Sequence, residues 1–299
     1  MMAYNKYYLQ KKQVSYDNGL SWEDVTPYET RQGEYIATYD TLAECETPDY
    51  STQYLTFVAE ADNMSVSLSY GNSNVFQYSV DSGTTWSSLT NNESTTSVNS
   101  GQTIMFKASG LTATSNDGIG SLNPSVYASV QGNIMSLVYG DNFTGQTTIS
   151  AYRFKYLFSS CLNIISVENL ILPATTLGMY CYQHMFSYLT RITTAPELPA
   201  TTLASGCYRS MFANCSSLTV APSLPATTLA DNSYAYMFQN CSRLTSITCL
   251  ATDISATNST QNWVSGVSAS GTFTKAASMS NWTLNSTSGI PSGWTVQDA

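Results

Sequence analysis

Few residues in this chain are equipped for catalysis. His184 is the only histidine among 299 residues, and it stands at a variable position of an internal repeat, where other copies carry Ser210 and Tyr236. Nothing in the sequence pairs it with a nucleophile as a general base. Serine is abundant, yet no Gly-x-Ser-x-Gly elbow raises a hydroxyl out of a strand-to-helix turn. Glu44 and Glu46 are neighbouring carboxylates in a polar linker, where solvated charge is the ordinary outcome. Gly118-Ile-Gly120 is too short to cradle a phosphate. The seven cysteines lack the Cys-x-x-Cys or Cys/His spacing of a tetrahedral zinc site. These residue types predict no catalytic group, no metal and no cofactor.

The residues that do recur with fixed spacing belong to structure. Ser15-x-Asp17-x-Gly19-x-x-Trp22 returns as Ser79-x-Asp81-x-Gly83-x-x-Trp86. The pattern resembles the Asp-box of sialidases, in which Asp and Gly shape a hairpin turn and Trp packs beneath it. Asp bonds back to nearby amides and Gly takes the turn's positive φ, so both residues are explained without any chemistry on a substrate.

In the C-terminal half, Leu172-Pro-Ala-Thr-Thr-Leu177 recurs at Leu198–Leu203 and Leu224–Leu229, a period of 26 residues. Met185-Phe186, Met211-Phe212 and Met237-Phe238 follow in register, preceded by Cys181-Tyr182, Cys207-Tyr208 and Ser233-Tyr234. Leu189, Cys215 and Cys241 come three residues after each Phe, and Ile192, Leu218 and Leu244 three further on. A degraded earlier copy runs through Phe158, Cys161 and Ile164. A unit this short cannot bury its own apolar residues, so equivalent positions must stack into a shared solenoid core. Cysteines at one template position stack about 4.8 Å apart with parallel side chains. That geometry predicts buried free thiols rather than disulfides.

The period, the Leu-Pro opening and the Phe-x-x-Cys-x-x-Leu close resemble the BspA-type (Treponema-type) leucine-rich repeats of anaerobe surface proteins and their phages. The resemblance covers residues 150–250. Upstream, Val66, Leu68 and Tyr70 alternate with polar residues and Gly101 opens a further apolar run, so residues 51–138 read as a β-sandwich. Residues 1–46, rich in Tyr and Lys, look similar to the short leading modules of gut-phage structural proteins. They read as an anchor or oligomerisation segment, with an extra hairpin of the sandwich as the alternative. Residues 251–299, with Trp263, Trp282 and Trp294, read as a β-type cap on the last turn. The expected fold is therefore mainly β: anchor segment, sandwich, leucine-rich-repeat solenoid and cap.

Composition narrows the partners. Only 10% of residues are charged, the net charge is −9, and 11 Lys and Arg in all give no basic stripe for nucleic acid. No apolar run reaches the length of about 18 residues that a membrane span needs. The first twelve residues hold Lys6, Lys11 and Lys12 without an apolar h-region behind them, the pattern of neither a secretory nor a lipoprotein leader. The resemblance then implies a non-enzymatic phage virion surface protein, a head or tail fibre or decoration protein. Its N-terminal segment would attach to other virion proteins, in a homo-oligomer expected to be a trimer, and its array would bind a host surface protein or glycan. A bacterial cell-surface adhesin with the same repeats is the alternative. Recognition should lie where the copies differ, which selects Tyr180, His184, Arg209, Tyr236 and Arg243 as candidate ligand-binding residues, since Tyr and Arg combine flat faces with directional donors.

Overall fold

The computed structural model describes residues 12–15, 23–25, 35–36, 49–69, 75–108, 118–280 and 282–299. The chain forms two compact units, Met1–Asp49 and Tyr50–Ala299.

In the first unit, β1 (Lys12–Ser15) pairs antiparallel with β2 (Glu23–Val25) and β3 (Tyr35–Ile36), in the order β2-β1-β3. Asp17, Gly19 and Trp22 of the first Asp-box, and most of the expected anchor at 1–46, lie outside the described residues.

The second unit opens with β4 (Leu55–Ala59), β5 (Val66–Ser69), β6 (Phe76–Ser79), β7 (Ser87–Leu89), β8 (Thr103–Ala108), β9 (Ser121–Pro124) and β10 (Ala128–Asn133). Strict alternation builds the half-buried strands: Val66 and Leu68 point inward from β5, Ile104 and Phe106 from β8. Strands β10, β4, β8, β6 and β7 lie side by side in one sheet, β5 pairs with β9 in another, and both feed one buried apolar cluster. The β6–β7 hairpin carries the second Asp-box. Gly83 N–H donates to Ser79 Oγ at 2.9 Å, Thr85 N–H to Asp81 Oδ1 at 2.9 Å, and Trp86 Nε1–H to the Gly83 carbonyl at 3.0 Å. All four Asp-box residues, Ser79, Asp81, Gly83 and Trp86, are thus consumed by the turn.

The two Asp-box regions share one strand register. The residue before the motif serine faces the residue after its tryptophan in both, Val14 opposite Glu23 and Tyr78 opposite Ser87. The serine faces the third strand in both, Ser15 opposite Tyr35 and Ser79 opposite Met105. The order β2-β1-β3 therefore repeats β7-β6-β8.

A single helical turn, Ser136–Tyr139, follows β10. Near it, Asp141 accepts from the Tyr54 hydroxyl and from Lys107 Nζ, each at 2.8 Å, and Lys107 Nζ lies 4.2 Å from the Trp86 ring centroid. The array continues with β11 (Thr148–Ile149), β12 (Ile164–Ser166), β13 (Leu170–Ile171) and β14 (Thr176–Leu177), and ends with β15 (Ser246–Cys249), β16 (Thr272–Lys275) and β17 (Thr295–Asp298). Strand β10 is antiparallel to β4 but parallel to β12 and β13, so the first coil stacks directly on the sandwich sheet. Gly132 makes that junction possible: a Cβ there would fall 2.1 Å from the Tyr54 carbonyl oxygen.

From β11 onward the chain is a β-solenoid of about six turns. Identical positions stack as the repeat requires. Phe158, Phe186, Phe212 and Phe238 form a buried column with ring centroids 5.9, 5.3 and 5.8 Å apart. A second column runs Phe154, Tyr182, Tyr208, Tyr234. Six cysteines, Cys161, Cys181, Cys207, Cys215, Cys241 and Cys249, are free and buried. Cys215 and Cys241 donate from Sγ to the Phe186 and Phe212 carbonyls one coil away, each at 3.1 Å. Residues 251–299 close the array with two more β-type coils. Trp263 takes the methionine position, stacks on Trp282 at 5.5 Å and donates Nε1–H to the Gly289 carbonyl at 2.9 Å, filling the core's last turn with indole.

Candidate functional site

Each coil contains a segment whose backbone repeats every four residues. Within it, every second N–H donates to the next coil and the alternate N–H groups donate three residues back along the chain: Tyr182 to Cys207, Met185 to Tyr182, His184 to Arg209. Two residues then face inward and two outward, and the fourth sits at positive φ. These corners stack into three columns: Tyr152, Tyr180, Gly206, Asn232, Asn258; Tyr156, His184, Ser210, Tyr236, Asn262; and Ser160, Tyr188, Asn214, Asn240, Gly266.

The occupants change character along the array. In the later coils the corners are mostly Asn and Gly, the residues that accept this conformation at least cost. In the first two coils five of the six corners are rings, Tyr152 (φ 63°), Tyr156 (61°), Tyr180 (53°), His184 (55°) and Tyr188 (66°), and the sixth is Ser160 (60°). A bulky side chain in this region carries about 1–2 kcal/mol of backbone strain, so the fold alone favours other residues there. Strain of this kind concentrates at binding and catalytic positions.

The rings of these corners form one face. Tyr152 stacks on Tyr180 with centroids 5.6 Å apart, and Tyr156 on His184 at 4.9 Å and 14°. Tyr156 and Tyr188 are 41% and 50% exposed. Lys155 holds its ammonium 5.7 and 5.2 Å from the Tyr152 and Tyr156 centroids, and the Arg209 guanidinium lies 5.4 Å from that of Tyr236. Burial, with Arg209 and Lys155 adding like charge, pushes the His184 imidazole down to about 4. It is therefore a neutral ring at ordinary pH, flanked by two cations on a chain of net charge −9.

Of the five residues selected from sequence, His184 and Tyr236 stand two coils apart in one column, Arg209 lies beside that column with its guanidinium against the Tyr236 ring, and Tyr180 lies in the adjacent column. Arg243, beyond Cys241, belongs to none of the three. Tyr152, Lys155 and Tyr156 were missed because the degraded first coil, two residues longer, obscures their alignment with the later copies, and Tyr188 because it follows the Met-Phe pair, outside the variable stretch that was compared. The recurrence of Asn or Gly at 206, 214, 232, 240, 258, 262 and 266 is the signal that marks the corners in sequence.

No protein-family model, curated protein or solved structure matches the chain. Among the described residues, no cluster of His, Cys, Asp and Glu could hold a metal ion, and no helix is long and apolar enough to cross a membrane.

Proposed function

We propose that this is a non-enzymatic virion surface protein, a fibre or decoration protein, whose solenoid binds a glycan or protein of a host surface. The observation that carries the binding role is the set of five bulky rings held at positive φ in the first two coils, where later coils carry mostly Asn and Gly. A scaffold selected only for stability has no use for that strain. Aromatic edges beside Lys155 and Arg209 offer flat contact area with directional donors at small ordering cost, as recognition surfaces do. The virion placement rests on the repeat and leading-segment resemblances described above, with residues 1–46 as the attachment to other virion proteins.

Two measurements test this. Binding of the full chain to host envelope preparations should fall at least tenfold in Tyr156→Asn/Tyr188→Asn, substitutions that suit the backbone and remove only rings. Unchanged binding would sink the assignment of this face. Mass spectrometry of purified particles should find the protein in the virion; recovery from a bacterial envelope fraction instead would replace the virion placement with the adhesin alternative.

A further inference from the structure

One row of exposed residues hardly changes along the array. The pairs Thr147-Thr148, Thr175-Thr176, Thr201-Thr202, Thr227-Thr228 and Thr252-Asp253 occupy one template position in five successive coils, and all ten residues are exposed. Burial therefore explains none of them. Duplication alone does not account for their identity either, because the residues a little further on have diverged: Gly178-Met179-Tyr180 becomes Ala204-Ser205-Gly206 and then Ala230-Asp231-Asn232. Backbone pairing repeats one geometry from rung to rung. Thr175 and Thr176 both donate N–H to the Thr147 carbonyl, Thr201 and Thr202 to that of Thr175, and Thr252 and Asp253 to that of Thr227. Of the nine threonine hydroxyls, only that of Thr252 has a partner among the described residues, the Thr227 carbonyl at 3.3 Å.

We propose that this face is where two copies of the chain pair, coil against coil, about a two-fold axis that runs along the third rung, Thr201-Thr202. Rungs of a stacked array lie about 4.8 Å apart, and a partner that meets every rung in turn must carry the same repeat, as a second copy does. The net charge of each chain is −9, so two copies repel over most of their surface. The five rungs carry a single charge, on Asp253. That charge fixes the orientation. An axis along the array would set Asp253 against its own counterpart. An axis along the strands runs the two arrays in opposite directions and sets Asp253 against the Thr148 hydroxyl of the second copy, a charge-assisted bond. A patch that matches itself in this way closes as a dimer and leaves nothing open to further copies. Five rungs form a face at the low end of what specific pairs bury, so the association is reversible.

Cross-linking of the full chain, in a Cys45→Ser background, reads the order of the rungs. Facing rows of two packed sheets stand about 10 Å apart, too far for a disulfide and within reach of a short bismaleimide. Thr201→Cys should cross-link to itself. Thr147→Cys and Thr252→Cys should cross-link when mixed and neither alone, because each lies about 19 Å along the array from its own counterpart. Ser242→Cys, exposed outside the five rungs, sets the level of chance collision. Sedimentation equilibrium gives the strength of pairing. Thr201→Lys brings two like charges together at the axis and should lower the association constant at least tenfold, with the melting temperature unchanged because the residue is exposed. Self-linking of Thr252→Cys above the chance level would overturn the antiparallel order. Thr201→Cys at the chance level, or Thr201→Lys pairing as tightly as the parent, would overturn the face itself.

Discussion

The Tyr180 ring lies directly against Gly206. A Cβ on Gly206 would sit 2.1 Å from Tyr180 Cε1 and 2.3 Å from Cδ1, so the glycine leaves the space that the ring occupies on the side away from Tyr152. Gly206 also carries φ +62°, which adds a backbone cost to any replacement. Gly206→Ala is expected to destabilise the protein by about 1–2 kcal/mol and to displace the Tyr180 ring. Chemical denaturation gives the first quantity, and an unchanged midpoint would contradict the packing.

Tyr188 sits at a positive-φ corner, is half exposed, and stands one coil before Asn214, which accepts from Asn240 Nδ2 at 2.9 Å in the next coil. Tyr188→Asn relieves the strain and extends the asparagine ladder by one member. It should raise stability by about 1 kcal/mol, and a decrease would show that Tyr188 contributes packing that outweighs its backbone.

Phe212 is fully buried between Phe186 and Phe238. Truncation leaves a cavity in the middle of the column that coils above and below cannot close, and Phe212→Ala should cost about 3–5 kcal/mol. A melt that does not move would remove the proposed register of the array.

Burial pushes the Cys161, Cys207, Cys241 and Cys249 thiols up to about 12, and Cys181 and Cys215 well above their ordinary value. Thiolate is the reactive form, so the six array cysteines should resist an aromatic disulfide reagent at pH 8 and react once the protein is denatured. Rapid labelling in the folded state, or a cross-coil disulfide among the peptides, would count against the buried thiol columns.

His184 lies near 4 in the folded protein and near its ordinary value of about 6.5 when unfolded. Between those values the unfolded chain binds a proton that the folded chain does not. Its contribution to stability is therefore complete above pH 6.5 and declines as pH falls toward 4. The difference in melting temperature between parent and His184→Gln should vary across that window and level off outside it; a flat difference would show that His184 titrates normally.

The sequence by itself determined the array. Three copies of Leu-Pro-Ala-Thr-Thr-Leu with Met-Phe in register can bury their apolar residues only by stacking on one another, and Phe186, Phe212 and Phe238 do so. Free thiols at Cys181, Cys207, Cys215 and Cys241 followed from the same stacking, since equivalent side chains point in parallel. The Asp-box at Ser79–Trp86 was legible as a turn because its hydrogen bonds close within eight residues. The candidate face was legible only in part. Variation between copies singled out His184, Arg209, Tyr236 and Tyr180, but it could not show that the corners adopt positive φ, which arises from pairing with the neighbouring coil. Nor could it place Tyr152 and Tyr156 on the same face, because the first coil aligns with the others only once the backbone hydrogen bonds fix which residue lies above which. The same holds for β10. Its turn from antiparallel partner of β4 to parallel partner of β12 and β13 depends on contacts made far along the chain, and local sequence pattern carries no record of them.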